Sequence, residues 1–165
     1  MRILVVDDDE KIAETLCFYL KDFLGHDVKV ANSIENGMLL AHSFKPHLIV
    51  TDYYMGDTTG DQLIKALRLF NKMVYIIAMS GAGNINIVRE TMKSGANDFI
   101  EKPFNLNNVA AKVAEADNRR KSLPTLEQIK ESHVNQVLAN ADTLKEASEI
   151  LGVNPSTLWR KRHAS

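Results

Sequence analysis

Short runs of apolar residues alternate with amphipathic segments along the first 118 residues. The runs are mostly rich in Val, Ile and Leu and mostly do not alternate with polar positions, which is typical of strands buried on both faces. Between them, apolar residues recur at intervals of three and four, as on one face of a helix. The predicted strands are 3–6, 28–31, 48–51, 74–79 and 98–100.

Five strand-helix units in strict alternation predict an α/β fold with a parallel, doubly wound sheet and helices on both faces. The first helix is predicted from a single apolar stripe formed by Ile12, Leu16, Tyr19, Leu20 and Phe23. Ligands of such sheets bind beyond the carboxyl ends of the strands, where the strand order reverses. For the flavodoxin-like order 2-1-3-4-5, that point lies between the first and third strands.

The pattern changes at residues 118–128, where charged residues, Ser and Pro predict a linker. Only helical signals follow it. The second of three predicted helices begins after Thr143 and ends at Gly152, and Asn154-Pro155 begins the third. Leu158 and Trp159 are expected to be core or packing residues of this part, not intercalating ones. We therefore predict a domain at 1–118, a linker at 119–124 and a small all-α domain at 125–165.

The charge distribution distinguishes the two predicted domains. Residues 1–118 carry 12 basic and 16 acidic residues, whereas residues 119–165 carry 8 and 5. A basic C-terminal part favours an anionic partner. The single cysteine, Cys17, excludes an internal disulfide. Neither a signal peptide nor a membrane-spanning stretch is apparent, so a cytoplasmic location without membrane association is expected.

Polar residues with reactive groups follow four of the predicted strands. Because the carboxyl ends of parallel strands meet at one edge of the sheet, these groups are expected to converge. Converging carboxylates repel unless a cation such as Mg²⁺ offsets them. A lysine and a hydroxyl beside that ion suit phosphoryl transfer to a carboxylate nucleophile. The residues are Asp7, Asp8, Asp52, Ser80 and Lys102.

Four sequence blocks in residues 1–120 resemble the receiver domain of two-component response regulators. They are "ILVVDDDE", "PHLIVTDYYMGDTTGDQL", "IIAMSGAG" and "GANDFIEKPF". The resemblance implies that Asp52 accepts phosphoryl from a sensor histidine kinase, and that the chain catalyses only its own phosphorylation and dephosphorylation. It also implies that Asp7, Asp8, Asp52 and the Tyr54 carbonyl bind Mg²⁺, that Ser80 and Phe99 form the switch, and that Lys102 is the family's lysine.

Two departures from the family pattern concern the loop after Asp52. Met55-Gly56 stands where the family often has Met-Pro, and glycine adds backbone freedom, so a looser loop is expected. Bulky Tyr53 and Tyr54 follow the phosphoacceptor directly. Tyr54 is expected to shield the phosphoryl group partly from water.

The C-terminal segment "EASEILGVNPSTLWRK" resembles a Fis-type helix-turn-helix, joined here to the receiver without a central ATPase domain. The resemblance implies transcription regulation through double-stranded DNA, and a homodimer in which the first helix of this part takes part. Ser156, Thr157 and Arg160 are the candidates for base contacts. Arg160, Lys161 and Arg162 are expected to contact phosphates.

Two alternatives remain at this stage. A haloacid-dehalogenase-like phosphatase would use Asp7 as nucleophile and Asp9 as general acid, but that reading gives Asp52 no role. A signalling module whose C-terminal helices bind a protein or RNA would keep the receiver chemistry and change the output. Salt-dependent binding of duplex DNA distinguishes a DNA-binding output from the second alternative, in which the C-terminal helices bind a protein or RNA.

Overall fold

The computed structural model describes residues 1–56, 58–81 and 85–162, without the side chains of Phe70, Lys161 and Arg162. The chain divides into two compact units, Met1–Lys121 and Ser122–Ser165.

The first unit is built on a parallel sheet of five strands in the order β2-β1-β3-β6-β7. This order is the predicted flavodoxin-like 2-1-3-4-5 order, and each strand begins and ends within one residue of its predicted position. A two-stranded antiparallel hairpin, β4 with β5, lies between β3 and the next helix. The strands are β1 Arg2–Val6, β2 Asp27–Ala31, β3 Leu48–Asp52, β4 Tyr54–Met55, β5 Thr58–Thr59, β6 Tyr75–Ser80 and β7 Asp98–Glu101.

Helices cover both faces of this sheet, because alternate side chains of the buried strands point to opposite sides. One core layer contains Leu16 of α1 and Val109 and Val113 of α5. The other contains Ala41 of α2 and Leu63 of α3. The helices are α1 Glu10–Phe18, α2 Ile34–Phe44, α3 Gly60–Phe70, α4 Ile85–Lys93 and α5 Leu106–Lys121.

The first helix departs from the prediction near its end. Residues Tyr19–Phe23 form a π-helical turn, which holds more residues per turn than an α-helix. Leu20 stays buried, but Phe23 is 75% exposed and stacks on Tyr19 with ring centroids 5.4 Å apart. The prediction that Phe23 belongs to the buried stripe was therefore wrong, because residues within the wider turn no longer follow the α-helical spacing on which the stripe was based.

The last helix of the unit is longer than predicted. Asn105 caps its first turn by accepting a hydrogen bond from Asn108 N at 2.8 Å. The helix then continues to Lys121, three residues into the predicted linker. Arg119, Arg120 and Lys121 lie in its last turn, where positive charge interacts favourably with the helix dipole.

His47 accepts a hydrogen bond at the amino-terminal edge of the sheet. Its Nδ1 accepts from Arg2 N at 3.0 Å, at the start of the interior strand β1. Burial lowers the pKa of His47 from its ordinary 6.5, and the positive charges of Arg2, Arg120 and the amino terminus lower it further. The negative charge of Asp117 acts in the opposite direction and raises the pKa. His26 is shifted in the same direction, again mainly by burial.

We expect the first unit to lose stability as the pH falls through 6.5, the ordinary pKa of histidine. Below that pH the unfolded chain binds a proton that folded His47 resists, so protonation favours unfolding. The variant His47→Asn keeps an acceptor near Nδ1 and should show a weaker decline. Urea unfolding at several pH values, followed by tyrosine absorbance, measures this because all four tyrosines lie in this unit. His42→Asn, on an exposed position of α2, is the control; an unchanged decline in His47→Asn would contradict the assignment.

The second unit consists of three helices, as predicted. They are α6 Leu126–Asn140, α7 Leu144–Leu151 and α8 Pro155–Arg162. Thr143 caps α7 by accepting from Glu146 N, and Gly152 ends it in the left-handed conformation. Val137, Ala147 and Leu158 form a small buried core with one residue from each helix.

Several apolar side chains of this unit are exposed. Leu158 is buried as predicted, whereas Trp159 is 54% exposed and lies outside the buried core, so only the core placement of Leu158 is confirmed. Adjacent helical positions point about 100° apart, so Leu158 and Trp159 cannot both face the small core.

In the part of the chain that the structure describes, no helix combines the length and apolar character needed to cross a bilayer.

Candidate functional site

Two aspartates and a lysine meet at the carboxyl edge of the sheet. Asp52 is the last residue of β3, and Asp7 follows β1 directly. Lys102, after β7, places its Nζ 2.8 Å from Asp7 Oδ2 and 3.1 Å from Asp52 Oδ2. Asp7 is completely buried and Asp52 nearly so. A single, partly buried ammonium thus bridges two carboxylates.

The three consecutive aspartates after β1 have different partners. Asp7 contacts Lys102, and its other oxygen accepts from Asp9 N at 3.0 Å. Asp8 is exposed and accepts from Gly56 N, in the β4–β5 turn, at 2.9 Å. Asp9 caps α1 by accepting from Lys11 N and Ile12 N. The run therefore connects three separate segments of the fold.

The carboxylates of Asp7, Asp8 and Asp52 form a candidate metal site. One oxygen from each lies within 4.8 Å of the other two. Three carboxylates this close carry more negative charge than one lysine offsets. An all-oxygen donor set suits a hard divalent cation such as Mg²⁺ or Ca²⁺. The residues present therefore fit the metal that the sequence predicts.

The environment shifts the pKa values of both Asp52 and Lys102. Burial raises the pKa of Asp52, and the hydrogen bond and charge of Lys102 only partly oppose this. Burial also opposes the charged form of Lys102, but its hydrogen bonds to Asp7 and Asp52 outweigh that effect and raise its pKa. Lys102 is thus held as a cation beside Asp52.

The predicted switch residues lie on the strands beside this cluster. Ser80 ends β6 and is completely buried, and its carbonyl accepts from Lys102 N at 2.8 Å. Phe99 in β7 is half-buried against the core layer that contains Ala78. Ala78 and Phe99 are partners in the parallel pairing of β6 with β7. Ser80 and Phe99 are therefore on neighbouring strands, two residues apart in register.

Two tyrosines follow Asp52. The Tyr53 N–H is shared between Asp52 Oδ1 at 2.8 Å and the Met79 carbonyl at 2.7 Å. The Tyr53 and Tyr54 rings pack edge to face, with centroids 5.0 Å apart. Tyr54 is exposed at the start of the hairpin. The Tyr54 carbonyl remains a predicted metal ligand.

Sequence reasoning missed two glycines that shape this site. Gly56 has φ +57, and its N–H contacts Asp8, whereas the sequence predicted only added freedom in the loop. Gly60 donates its N–H to the Tyr53 carbonyl at 2.6 Å. A Cβ on Gly60 would overlap the Asp52 carbonyl oxygen and lie 3.1 Å from Tyr53 Cα. The sequence shows only that Gly60 follows Asp52 by eight residues. This spacing does not by itself indicate that the two residues pack closely together.

We expect Gly60→Ala to destabilise the first unit by about 2 kcal/mol, because the added methyl group would displace the backbone of Asp52. Phosphoryl uptake should also fall, since the carboxylate moves with that backbone. The control is Gly81→Ala, whose Cβ would lie 4.0 Å from Lys102 Cβ. Its stability should change by less than about 0.5 kcal/mol. Urea unfolding measures both, and equal effects in the two variants would refute the packing argument.

The predicted nucleic-acid contacts lie on α8. Ser156, Thr157 and Arg160 are exposed on this helix, and Asn154 at its start accepts from Ser156 N at 3.0 Å. The side chains of Lys161 and Arg162 lie outside the described residues.

Residues 3–114 match the family described as the response regulator receiver domain. The chain belongs to this family. The receiver domain thus covers the five-stranded sheet and the cluster at its carboxyl edge. The haloacid-dehalogenase-like interpretation gains no support, since the receiver family accounts for the same motif.

Relatives of this receiver protein include a transcriptional regulator and solved response regulators. The transcriptional regulatory protein FixJ of Rhizobium meliloti is 30% identical over 93% of this chain and 81% of its own length. A two-component response regulator from Clostridium difficile aligns with a TM-score of 0.70 and 26% identity over 74% of this chain and 99% of that one. A response regulator from Burkholderia pseudomallei aligns over 96% of both chains, with a TM-score of 0.63 and 26% identity. Its structure contains a phosphorylated aspartic acid and a calcium ion.

Proposed function

We propose that Asp52 accepts a phosphoryl group from a sensor histidine kinase and that this modification regulates transcription. The observation that carries the proposal is the placement of Asp52, at the end of β3, between a partly buried lysine and two further aspartates. The phosphorylated aspartic acid and calcium ion in the Burkholderia pseudomallei relative support the same chemistry.

In this mechanism the Asp52 carboxylate is the nucleophile. The N–H of Tyr53 holds Oδ1, which leaves Oδ2, beside Lys102, to attack phosphorus. A bond forms between this oxygen and phosphorus while the bond from phosphorus to the imidazole nitrogen of the donor breaks. The leaving nitrogen keeps the electron pair. Lys102 Nζ is already within hydrogen-bonding distance of Asp52 Oδ2. From there it stabilises the negative charge of the transferring group.

Asp7, Asp8, Asp52 and the Tyr54 carbonyl would hold the Mg²⁺ ion. The ion would offset the negative charge of the carboxylates and of the phosphoryl oxygens. Ser80 and Phe99 then respond to the new charge on Asp52, and a local electrostatic change biases the surface formed by the last two strand-helix units. The catalysed reaction is confined to phosphorylation and dephosphorylation of the chain itself.

Chemical mapping of the phosphorylated residue tests this proposal. The full chain is incubated with acetyl phosphate and Mg²⁺, and the acyl phosphate is trapped by borohydride reduction before peptide mass spectrometry. The expected result is that the peptide containing Asp52 carries the reduced residue as its label, and that this label appears only when Mg²⁺ is present. Label on Asp7 instead would support the phosphatase-like alternative, and absence of label would contradict the proposal.

We also propose that α7 and α8 form a helix-turn-helix that binds promoter DNA. Two observations support this proposal. The helices are joined by a tight turn at Gly152, and α8 exposes Ser156, Thr157 and Arg160. FixJ, which aligns over 93% of the chain, is described as a transcriptional regulatory protein. Lys161 and Arg162 would add phosphate contacts.

Electrophoretic mobility shifts with genomic DNA fragments test the output. Arg160→Ala combined with Lys161→Ala should abolish a salt-sensitive shift, because each lost phosphate contact reduces affinity. The control combines Lys130→Ala with Lys145→Ala, which removes the same charge from exposed positions of α6 and α7. Failure of the unmodified chain to shift duplex DNA at low salt would favour the protein- or RNA-binding alternative.

We further propose that the chain forms a homodimer through α6. Leu126 and Ile129, three residues apart on one face of this helix, are 67% and 50% exposed within their unit. Apolar residues at such spacing form a stripe that a second copy can cover. Ile129→Glu should shift the protein toward monomer in sedimentation velocity, whereas Lys130→Glu should not. A dimer unaffected by Ile129→Glu would place the interface elsewhere.

A further inference from the structure

The turn between β4 and β5 contacts a predicted metal ligand directly. Gly56 donates its backbone N–H to Asp8 Oδ2 across 2.9 Å, although the two residues are 48 positions apart in the chain. Gly56 has φ +57, a conformation that glycine adopts without steric cost. The hairpin around it is closed by Thr58 Oγ1, which donates to the Met55 carbonyl at 2.8 Å. The donor therefore lies beside a hydrogen-bonded pair of residues, Met55 and Thr58.

Asp8 differs from the other two carboxylates in how it is held. Asp7 and Asp52 are buried and both contact Lys102. The side chain of Asp8 is exposed, and repulsion from two carboxylates within 4.8 Å favours its rotation away from them. The Gly56 N–H opposes this rotation by fixing Oδ2, which leaves Oδ1 for a cation.

We propose that Gly56 is the positioning residue for Asp8, and that through it the β4–β5 hairpin is coupled to metal binding. The proposal rests on the proposed Mg²⁺ site. Among the described residues, Asp8 is the one exposed carboxylate of that site, and Gly56 is the group that holds it in position. Hydrogen bonds to ligating carboxylates orient the ligand, and their removal typically lowers metal affinity by a factor of about 10 to 100. Because this bond is exposed, we expect the lower end of that range.

Two properties of Gly56 are needed, and they can be separated by substitution. Proline removes the N–H and fixes φ near −65°, so Gly56→Pro loses both the donor and the turn geometry. Asparagine keeps the N–H and tolerates positive φ better than most residues. A Cβ at position 56 meets nothing within 4 Å, so Gly56→Asn fits without a steric clash.

Mg²⁺ titration of the full chain by isothermal calorimetry provides the test. Gly56→Pro should bind Mg²⁺ about tenfold more weakly than the unmodified protein, and Gly56→Asn should stay within about twofold of it. In the Asp8→Ala background, Gly56→Pro should cause no further loss, because the two residues act through one contact. Metal-free thermal unfolding of each variant shows whether the fold is kept.

A second readout needs no change at Gly56 itself. In ¹⁵N-labelled protein, the Gly56 amide proton should shift upfield when Asp8→Ala removes its acceptor, while distant amides stay unchanged. This measurement remains decisive if Gly56→Pro fails to fold.

The outcomes separate the inference from the function on which it rests. If the unmodified chain does not bind Mg²⁺, the proposed metal site fails and the inference fails with it. If the unmodified chain and Gly56→Pro bind Mg²⁺ equally, the site stands and the role of Gly56 is refuted. Equal losses in Gly56→Pro and Gly56→Asn, or an unchanged Gly56 amide signal in Asp8→Ala, would likewise refute it.

Discussion

Asp52→Asn is expected to abolish phosphoryl uptake from acetyl phosphate. The amide has the size of the carboxylate but lacks a nucleophilic oxygen with negative charge, so the phosphorus–oxygen bond cannot form. The fold should be retained, because Lys102 keeps its 2.8 Å contact with Asp7. Burial disfavours the charged form of Asp52, so removing this charge should leave the first unit at least as stable.

Intact-protein mass spectrometry after incubation with acetyl phosphate and Mg²⁺ measures the uptake. Asp9→Asn is the matched control, because Asp9 caps α1 and asparagine serves equally well as an N-cap. The control should accept phosphoryl at the normal rate. Uptake by Asp52→Asn at a comparable rate would show that another residue is the acceptor.

Lys102→Met is expected to have opposite effects on phosphoryl transfer and on metal binding. Uptake should fall by a factor of about 100 or more, since the ammonium that stabilises the transferring group is lost. Mg²⁺ affinity should rise, because the carboxylates of Asp7 and Asp52 lose the cation that now bridges them. Without Mg²⁺ the first unit should lose about 3 kcal/mol, because buried Asp7 is left without an opposite charge.

Calorimetric titration with Mg²⁺ and urea unfolding with and without the ion measure these effects. The control is Lys112→Met, which breaks a more exposed pair in which Lys112 Nζ lies 2.6 Å from Asp98 Oδ2. That pair should contribute less than about 1 kcal/mol, and its loss should not change Mg²⁺ affinity. If Mg²⁺ binding weakens in Lys102→Met, Lys102 is not competing with the ion for the carboxylates.

The sheet and the cluster of Asp7, Asp52 and Lys102 could be predicted because each depends on residues at strand ends. The periodicity places Asp7 and Asp52 at the carboxyl ends of neighbouring parallel strands, and topology alone then brings them together. The prediction of Phe23 failed because a π-helical turn has no strong signal in the sequence. Trp159 lies outside the core that Leu158 enters, because one small core accommodates only Leu158 from that part of α8.

The roles of the glycines could not be predicted for a different reason. Gly60 is defined by how closely its backbone approaches Asp52, and Gly56 by a hydrogen bond to a residue 48 positions away. Neither contact produces a periodic pattern of apolar and polar residues in the sequence, because a glycine carries no side chain whose polarity could indicate its surroundings. Only the folded backbone shows which atoms a Cβ would meet.

The three successive aspartates after β1 have a consequence for how this chain can vary. Asp7, Asp8 and Asp9 connect β1 to Lys102, to the β4–β5 turn and to the first turn of α1, respectively. A substitution affects one of these connections, whereas the insertion or deletion of a single residue would misalign all three at once. The spacing of the run is therefore more strongly constrained than the identity of any one acid in it, and length changes are expected to be tolerated in the linker but not here.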